Sequence, residues 1–457
     1  MRAASLGQIA EVLGATFKGC DPETLAHGAA TDSRIVRDGD LFFALRGATD
    51  GADFASEAHL RGAVATVADR ALDVPTLVVE DALAALQQLA RWSLRREDPP
   101  VVVGITGSVG KTTTKDALAA ILRVAGRRVS ATAGNFNNEI GLPLTILAAN
   151  ERTGILVLEM GATHRGDIEH LCSIAPPQVG VLTAIAPVHL DSFGSLEGVA
   201  EAKGELALAL PESGSFVSPH GAPDAATGYR RNLARRIRFS RDHAEGVDLW
   251  ISGLEERDEG LRFVVHLRDE EAEVRCPVFG THLVEPLLAA IGGALALGLS
   301  LDECARGVSR VRRTGLRGEV FRLRDDIIVY DDSYNASPVA TAAVLRYGEE
   351  GSREQGRRLV AVLGGMFELG AGARAYHHEI GELAEELRVD LLVCVGDEAR
   401  WYAETFSGET LMFPDAESAA EGLREALRPR DYVVVKGSRG VRLDALTRKL
   451  RESLALV

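Results

Sequence analysis

Lys111 sits at the end of a glycine-rich turn, Gly107-Ser108-Val109-Gly110, and is followed by Thr112 and Thr113. The turn comes directly after an apolar run, VVVGIT, and opens a helix-forming one, KDALAAILRVAG. That context is the one in which backbone N–H groups can turn inward around phosphate oxygens, helped by the positive end of a helix. Lys111 would reach β- and γ-phosphates, and Thr112 would offer a hydroxyl to Mg²⁺. The pattern departs from the strict phosphate-loop spacing, because Ile105 stands where the first glycine is usual.

Three further side chains follow later apolar runs. Glu159 ends GILVLE, His189 and Asp191 follow VGVLTAI, and Lys203 lies on the next helical segment. In open parallel sheets ligands collect at the carboxyl ends of strands, and a carboxylate there can hold a hard cation beside phosphates. Each residue also has an ordinary use: Glu159 as a helix-capping or solvated carboxylate, His189 as a structural imidazole, Lys203 as a surface cation. A buried lysine could instead be deprotonated or modified, since burial favours the neutral amine.

These residues need elements to hold them. Strand-like and helix-like segments alternate from VVVGIT to GSFVS, the rhythm of a doubly wound, mostly parallel sheet. An antiparallel-looking insert, DLWISGLEE and LRFVVHLR, comes next. Before it all, LGQIAEVLGA, DLFFAL, AVATVA and PTLVVE make a small α/β unit that closes with an amphipathic helix and Asp98-Pro99-Pro100. After it, DIIVYDD, RLVAVLGG, DLLVCVG and DYVVVKG alternate with helical segments in a Rossmann-like α/β unit. At roughly 150 residues per domain, 457 residues predict about three domains. The expected divisions are 1–98, 99–313 and 314–457, with hinges near Pro99-Pro100 and Arg313–Arg317.

A net charge of −15 argues against wrapping nucleic acid or lying on an anionic membrane. Apolar residues at 46 % are enough for ordinary globular cores. The longest uncharged apolar stretch, 287–301, is too short to span a bilayer. Five scattered cysteines without a C-x-x-C pair fit a reducing cytoplasm better than a disulfide or zinc framework.

The segments TDSRIVRDGDLFFALRGATDGADF, TGSVGKTTTK, TAGNFNNEIGLPLTIL, LEMGATHRGDIEHL, HLDSFGSLEGVAEAKGEL, VYDDSYNASPVATAAVL, VLGGMFELG and VVVKGSRGVRLD occur in that order. Together they resemble the Mur ligase family over nearly the whole chain. The forms GNFNNEIG, DDSYNASP and VKGSRG are similar to those of the family's D-Ala-D-Ala-adding type. The resemblance implies an enzyme that uses ATP to phosphorylate the terminal carboxylate of UDP-N-acetylmuramoyl-tripeptide. The amine of D-Ala-D-Ala then attacks the acyl phosphate. Such a mixed anhydride splits one difficult substitution into two easier ones. It also implies three domains: one for the uridine nucleotide, one for ATP and one that closes over both; the chain is expected to act as a monomer.

By the same resemblance, Gly107 to Thr113 would cradle the triphosphate, and Thr112 and Glu159 would hold one Mg²⁺. His189 would serve a second Mg²⁺, and Lys203 would be carbamylated, becoming an anionic oxygen donor. Lys111, Glu159, His189 and Lys203 would thus form the catalytic set. Asn135, Asn137 and Asn138 would line the cleft, although Asn and Gly also commonly build turns. Thr31, Asp32, Ser33 and Arg34, with Asp50 and Gly51, would form part of the uridine-diphosphate-sugar pocket. Arg317 and Asp332 would reach ATP after closure. Tyr334, Asn335, Lys436, Ser438 and Arg439 would meet substrate, the last three at its carboxylates.

Two segments depart from the family. Gly280-Thr281-His282-Leu283-Val284-Glu285-Pro286 lacks the two usual asparagines, so the resemblance assigns no adenine ligand. Val362-Leu363-Gly364-Gly365-Met366 carries glycine in place of the motif's aspartate. A folate-type ligase or a nucleotide switch is the competing expectation. TDSR with DGDLFFAL argues against the first, and Glu159, His189 and Lys203 together argue against the second.

Overall fold

The computed structural model describes residues 1–95, 97–228, 232–257, 259–311 and 316–454. The division expected between 313 and 314, and most of the hinge expected there, lie outside the described residues.

The largest sheet has nine strands between Val101 and Cys276. Val101–Thr106 lies inside it, paired in parallel with Ile155–Glu159 on one side and Val179–Leu182 on the other. Val129–Ala131 extends it at one edge. Ser215–Pro219 and Arg235–Phe239 extend it the other way, followed by an antiparallel meander of Leu249–Arg257, Gly260–Leu267 and Glu270–Cys276.

Alternation along these strands explains why both faces are covered. Val102, Leu156, Leu158 and Leu182 face one apolar core. Val103, Ile105, Val157, Val179 and Val181 face another. A strand buried on both faces reads as an unbroken apolar run, which is how VVVGIT and ILVLE read in the sequence. The helices Lys111–Val124 and Val284–Ala296 contribute to the second core. Asp167–Ile174 and Leu196–Ala209 contribute to the first.

The first core does not stop at the central unit. Leu6, Leu41, Leu86 and Leu89 of the N-terminal unit belong to the same cluster as Leu142, Ile146 and Leu156. Gln87 Nε2 donates to the Glu139 carbonyl at 3.1 Å, and Arg91 Nε to the Ser173 carbonyl at 3.0 Å. The N-terminal unit itself holds a five-stranded sheet, ordered Thr16–Lys18, Thr76–Val78, Ala65–Ala68, Asp40–Phe43 and Gly28–Ala30.

The C-terminal unit holds a six-stranded sheet in the order Glu319–Leu323, Ile327–Asp331, Tyr432–Lys436, Leu359–Gly364, Leu391–Val395 and Thr410–Phe413. Only its first pair is antiparallel. The loops after Asp331, Lys436, Gly364 and Val395 therefore leave the sheet at the same end.

Eight strands were not expected from the sequence: Ala4–Ser5, Thr16–Lys18, Leu25–Ala26 and Gly28–Ala30 in the N-terminal unit, and Arg235–Phe239, Glu270–Cys276, Glu319–Leu323 and Thr410–Phe413 beyond it. Arg235–Phe239 reads RRIRF, with only Ile237 and Phe239 apolar, so its apolar signal is weak, and Thr410–Phe413 reads TLMF, apolar but only four residues long and too short to show a period. All five cysteines are free, and four of them are buried. Among the described residues no helix is long and apolar enough to cross a membrane.

Candidate active site

The turn at 107–110 is shaped by backbone that ordinary side chains avoid. Gly107 has φ +145° and Gly110 φ +84°. A Cβ on Gly107 would lie 2.1 Å from Thr183 Oγ1. The turn is tied to the segment after Val179–Leu182: Ser108 N donates to the Ala184 carbonyl at 2.8 Å, and Ala186 N to Ser108 Oγ at 3.0 Å. Lys111 opens the following helix and bends back, its Nζ donating to the Gly107 carbonyl at 2.7 Å. Burial lowers its pKa; the carboxylate of Glu159 opposes that, and Arg317 of the C-terminal unit adds to it.

Glu159 ends its strand in register with Ile105, two residues before the turn, and is 3 % exposed. Thr112 Oγ1 donates to its Oε2 at 2.7 Å, and Asn137 Nδ2 to its Oε1 at 2.9 Å. Its backbone N–H donates to Thr132 Oγ1 at 2.9 Å. Thr112, Asn137 and Glu159 therefore form one contact group beside Lys111. Asn138 does not join it, because its Oδ1 accepts from the N–H groups of Ile140 and Gly141 and fixes a turn. Asn135 is exposed.

Lys203 is 1 % exposed. Its Nζ donates to the Ala162 carbonyl at 3.1 Å and lies 5.3 Å from the centroid of the Phe193 ring. Burial, followed by the charge of Lys111, pulls its pKa down to about 7, while Asp167 and Glu205 oppose the fall. The ordinary use of Lys203 as a surface cation is thus excluded by its position.

His189 adopts φ +49° and forms an ion-pair contact through Nδ1 with Glu368 of the C-terminal unit. Leu190 N also donates to the Glu368 carbonyl, at 2.9 Å. Burial lowers the His189 pKa; Glu368 raises it, and Lys203 and Lys111 lower it further. These charge couplings place His189, Lys203 and Lys111 around one region.

In the C-terminal unit, Asp332 is ion-paired with Lys436, which is 4 % exposed. The two side chains expected to meet ATP and a substrate carboxylate are thus each other's partners. Tyr334 has Arg317 3.8 Å from its ring centroid and Arg439 5.8 Å from it. Ser438 Oγ accepts from Phe367 N at 2.9 Å, so it shapes the loop after Gly364. Asn335 is exposed.

In the N-terminal unit, Asp32 accepts from the Arg34 backbone at 3.0 Å and pairs with its guanidinium, which holds the Asp32 carboxyl at about 2. Ser33 Oγ donates to Glu57 at 2.8 Å, and Asp50 caps the turn Gly51–Phe54 while pairing with Arg70. The short helix Ala55–Leu60 packs against the turns carrying both groups. Thr31 is half-buried beside them.

Glu368 was not singled out in the sequence. Its signals were its place in the segment VLGGMFELG and its position past the carboxyl end of Leu359–Gly364. Among the described residues no three His, Cys, Asp or Glu side chains cluster as a metal cage. The oxygen donors Thr112 and Glu159 suit Mg²⁺ nonetheless, since this ion is commonly held by one or two carboxylates together with substrate phosphates.

Comparison with known proteins gives three successive family matches: "Mur ligase family, catalytic domain" over residues 25–91, "Mur ligase middle domain" over 105–294, and "Mur ligase, glutamate ligase domain" over 316–439. A UDP-N-acetylmuramoyl-tripeptide–D-alanyl-D-alanine ligase of Mycobacterium bovis is 37 % identical, spanning 97 % of this chain and 96 % of its own. A crystal structure of MurF from Acinetobacter baumannii superposes with TM-score 0.88 at 28 % identity, covering 98 % and 99 %. The MurF ligase of Thermotoga maritima in complex with ADP superposes with TM-score 0.81 at 31 % identity, covering 93 % and 97 %.

Proposed function

The chain belongs to the Mur ligase family, and on that premise we propose how its side chains divide the work of an ATP-dependent ligase. The reaction adds D-Ala-D-Ala to UDP-N-acetylmuramoyl-tripeptide in peptidoglycan precursor synthesis. ATP, the tripeptide carboxylate and the acyl phosphate are all anions, so they repel one another until something neutralises them. The observation that carries the assignment is the Thr112–Glu159 contact beside Lys111, with Lys203 and Arg317 close enough to alter or share its field.

Gly107, Ser108, Val109, Gly110, Lys111, Thr112 and Thr113 hold the triphosphate. Mg²⁺, bound by Thr112 and Glu159 and a second time near His189 and carbamylated Lys203, would supply charge neutralisation at the phosphoryl oxygens. Lys203 suits carbamylation because burial keeps much of it as the neutral amine near pH 7. Asn137 holds the Glu159 carboxylate in place.

Residues 1–98 bind the uridine nucleotide through Thr31–Arg34 and Asp50-Gly51. Residues 99–313 bind ATP, and 314–457 close over both, bringing Arg317 and Asp332 to ATP and Tyr334 to the substrate. Closure turns on the C-terminal side rather than at Pro99-Pro100. The N-terminal unit shares an apolar core with the central one, whereas His189–Glu368 is a polar contact that rotation can break. The enzyme works as a monomer in the cytoplasm, where its free thiols stay reduced.

Phosphate release from ATP and Mg²⁺, measured with lysine- and diaminopimelate-containing tripeptides and a panel of amines, tests the assignment. Product only with D-Ala-D-Ala is expected. Amine-independent hydrolysis, or preference for a single amino acid, would overturn it.

A further inference from the structure

The helix Lys111–Val124 carries two lysines about one turn apart, and they reach different partners. Lys111 bends back over the glycine turn. Lys115 is 3 % exposed; its Nζ donates to the Thr132 carbonyl at 2.7 Å and pairs with Asp116 at 2.8 Å. Ala117, Leu118, Ile121 and Leu122 of the same helix are buried in an apolar core. A long cationic side chain is costly to bury there, and an apolar residue would fill the place at less cost. What Lys115 adds is its hold on Thr132.

Thr132 stands just past the edge strand Val129–Ala131 and is itself buried. Its N–H donates to the Val157 carbonyl at 3.0 Å, and its Oγ1 accepts from Glu159 N at 2.9 Å. Its carbonyl takes the Lys115 Nζ. The chain then turns through Ala133, whose carbonyl accepts from Phe136 N at 3.1 Å, and arrives at Asn137. There the Asn137 carbonyl accepts from Gly161 N at 2.8 Å, while the side chain donates to Glu159 Oε1 at 2.9 Å. Thr132 is therefore a node. Through it the helix that bears Thr112 is joined to the backbone of Glu159 on one side, and to the segment that holds the Glu159 carboxylate on the other.

We propose that Lys115 is a positioning residue for Mg²⁺ binding: by gripping the Thr132 carbonyl it keeps Glu159 and Asn137 in place opposite Thr112, three residues earlier on its own helix. The inference rests on the ligase reading above. It requires no contact between Lys115 and any substrate, and it gives the second lysine of GKTTTK a task separate from that of the first.

The test uses the full-length enzyme with Lys115→Met, Lys115→Arg, Thr132→Val, Thr132→Ser, and the Lys115→Met, Thr132→Val double variant. Thermal unfolding checks each fold. Two quantities are read: the Mg²⁺ concentration for half-maximal rate, and calorimetric affinity for a nonhydrolysable ATP analogue with Mg²⁺ and with a chelator. Lys115→Met should raise the Mg²⁺ requirement roughly 10-fold, as loss of a group supporting a metal ligand does. It should weaken analogue binding in Mg²⁺ while leaving binding in chelator unchanged. Lys115→Arg keeps a donor and should recover most of the loss. Thr132→Val should behave like Lys115→Met, whereas Thr132→Ser, which keeps the hydroxyl, should behave like the wild type. The double variant should lose no more than the worse single one, because both act through one node. Where Lys115→Met does not fold, Lys115→Gln, whose shorter amide reaches less far, takes its place in the same readings. An unchanged Mg²⁺ requirement, equal weakening with and without Mg²⁺, or additive losses in the double variant overturns the inference. A wild-type enzyme that makes no product with D-Ala-D-Ala overturns the ligase reading instead, and the analogue binding measurements still decide the role of Lys115.

Discussion

Thr112 Oγ1 stands 2.7 Å from Glu159 Oε2, and the two arrive from neighbouring elements: one from the helix after the central strand, the other from the end of the strand paired with it. Both are hard oxygen donors, and their hydrogen bond brings them to one point beside the phosphate turn. Glu159→Gln keeps the shape and removes the charge. The Mg²⁺ concentration needed for half-maximal rate should rise roughly 10- to 100-fold, the range seen when a metal site loses one supporting group. A rate titration against Mg²⁺ checks this, and an unchanged requirement would separate Glu159 from the cation.

Lys203 gives a pH dependence with a defined sign. Its folded pKa is about 7, against an ordinary 10.5. Between those values the unfolded chain binds more protons, so stability rises with pH across that window, and the penalty is fully present below it. Lys203→Met should therefore stabilise the fold near pH 7 in bicarbonate-free buffer, on the order of 2–4 kcal/mol. It should also flatten the pH dependence while abolishing ligation. Activity of the wild type should fall as pH drops below about 7, because the ammonium form cannot take up carbon dioxide. Carbon-labelled bicarbonate should give a carbamate resonance in the wild type and none in Lys203→Met.

Much of this was legible beforehand for a physical reason. Strands buried on both faces, such as Val101–Thr106 and Leu359–Gly364, must be apolar throughout, and glycines at 107 and 110 must allow positive φ. Short edge strands such as Thr410–Phe413, only four residues long, give no run long enough to show a period. Pairings across distant segments left none at all. Nothing in the local sequence says that Glu368 will meet His189, that Lys436 is taken up by Asp332, or that Asn138 turns to its own loop while Asn137 reaches Glu159.

The His189–Glu368 contact joins the central and C-terminal units through side chains that are still partly in water, 30 % and 59 % exposed. Such pairs contribute about 0–1 kcal/mol. Glu368→Gln should then leave unfolding nearly unchanged, while shifting the balance between closed and open arrangements by about fivefold at most. Small-angle scattering should show a larger radius for the variant without ligands and the same radius once ATP and the nucleotide tripeptide are bound. Equal radii without ligands would mean that other contacts hold the two units together.

Gly107 and Gly126 both have positive φ, +145° and +77°, but they differ in what surrounds them. Nothing lies within 4 Å of a Cβ on Gly126, so Gly126→Ala should cost only backbone strain, roughly 1–2 kcal/mol, and leave ATP binding intact. A Cβ on Gly107 would meet Thr183 Oγ1 at 2.1 Å and the Ala184 backbone at 3.0 Å. Thr183 cannot swing away freely, because its hydroxyl donates to the carbonyls of Thr106 and Val109. Gly107→Ala must therefore push the turn away from residues 183–186, which hold Ser108 and lead on to His189. Affinity for a nonhydrolysable ATP analogue, measured by calorimetry, should fall by at least about tenfold, equal to 1.4 kcal/mol, beyond any loss in Gly126→Ala. Equal behaviour of the two variants would show that the turn tolerates a side chain, and that its glycines are not what shapes it for phosphate.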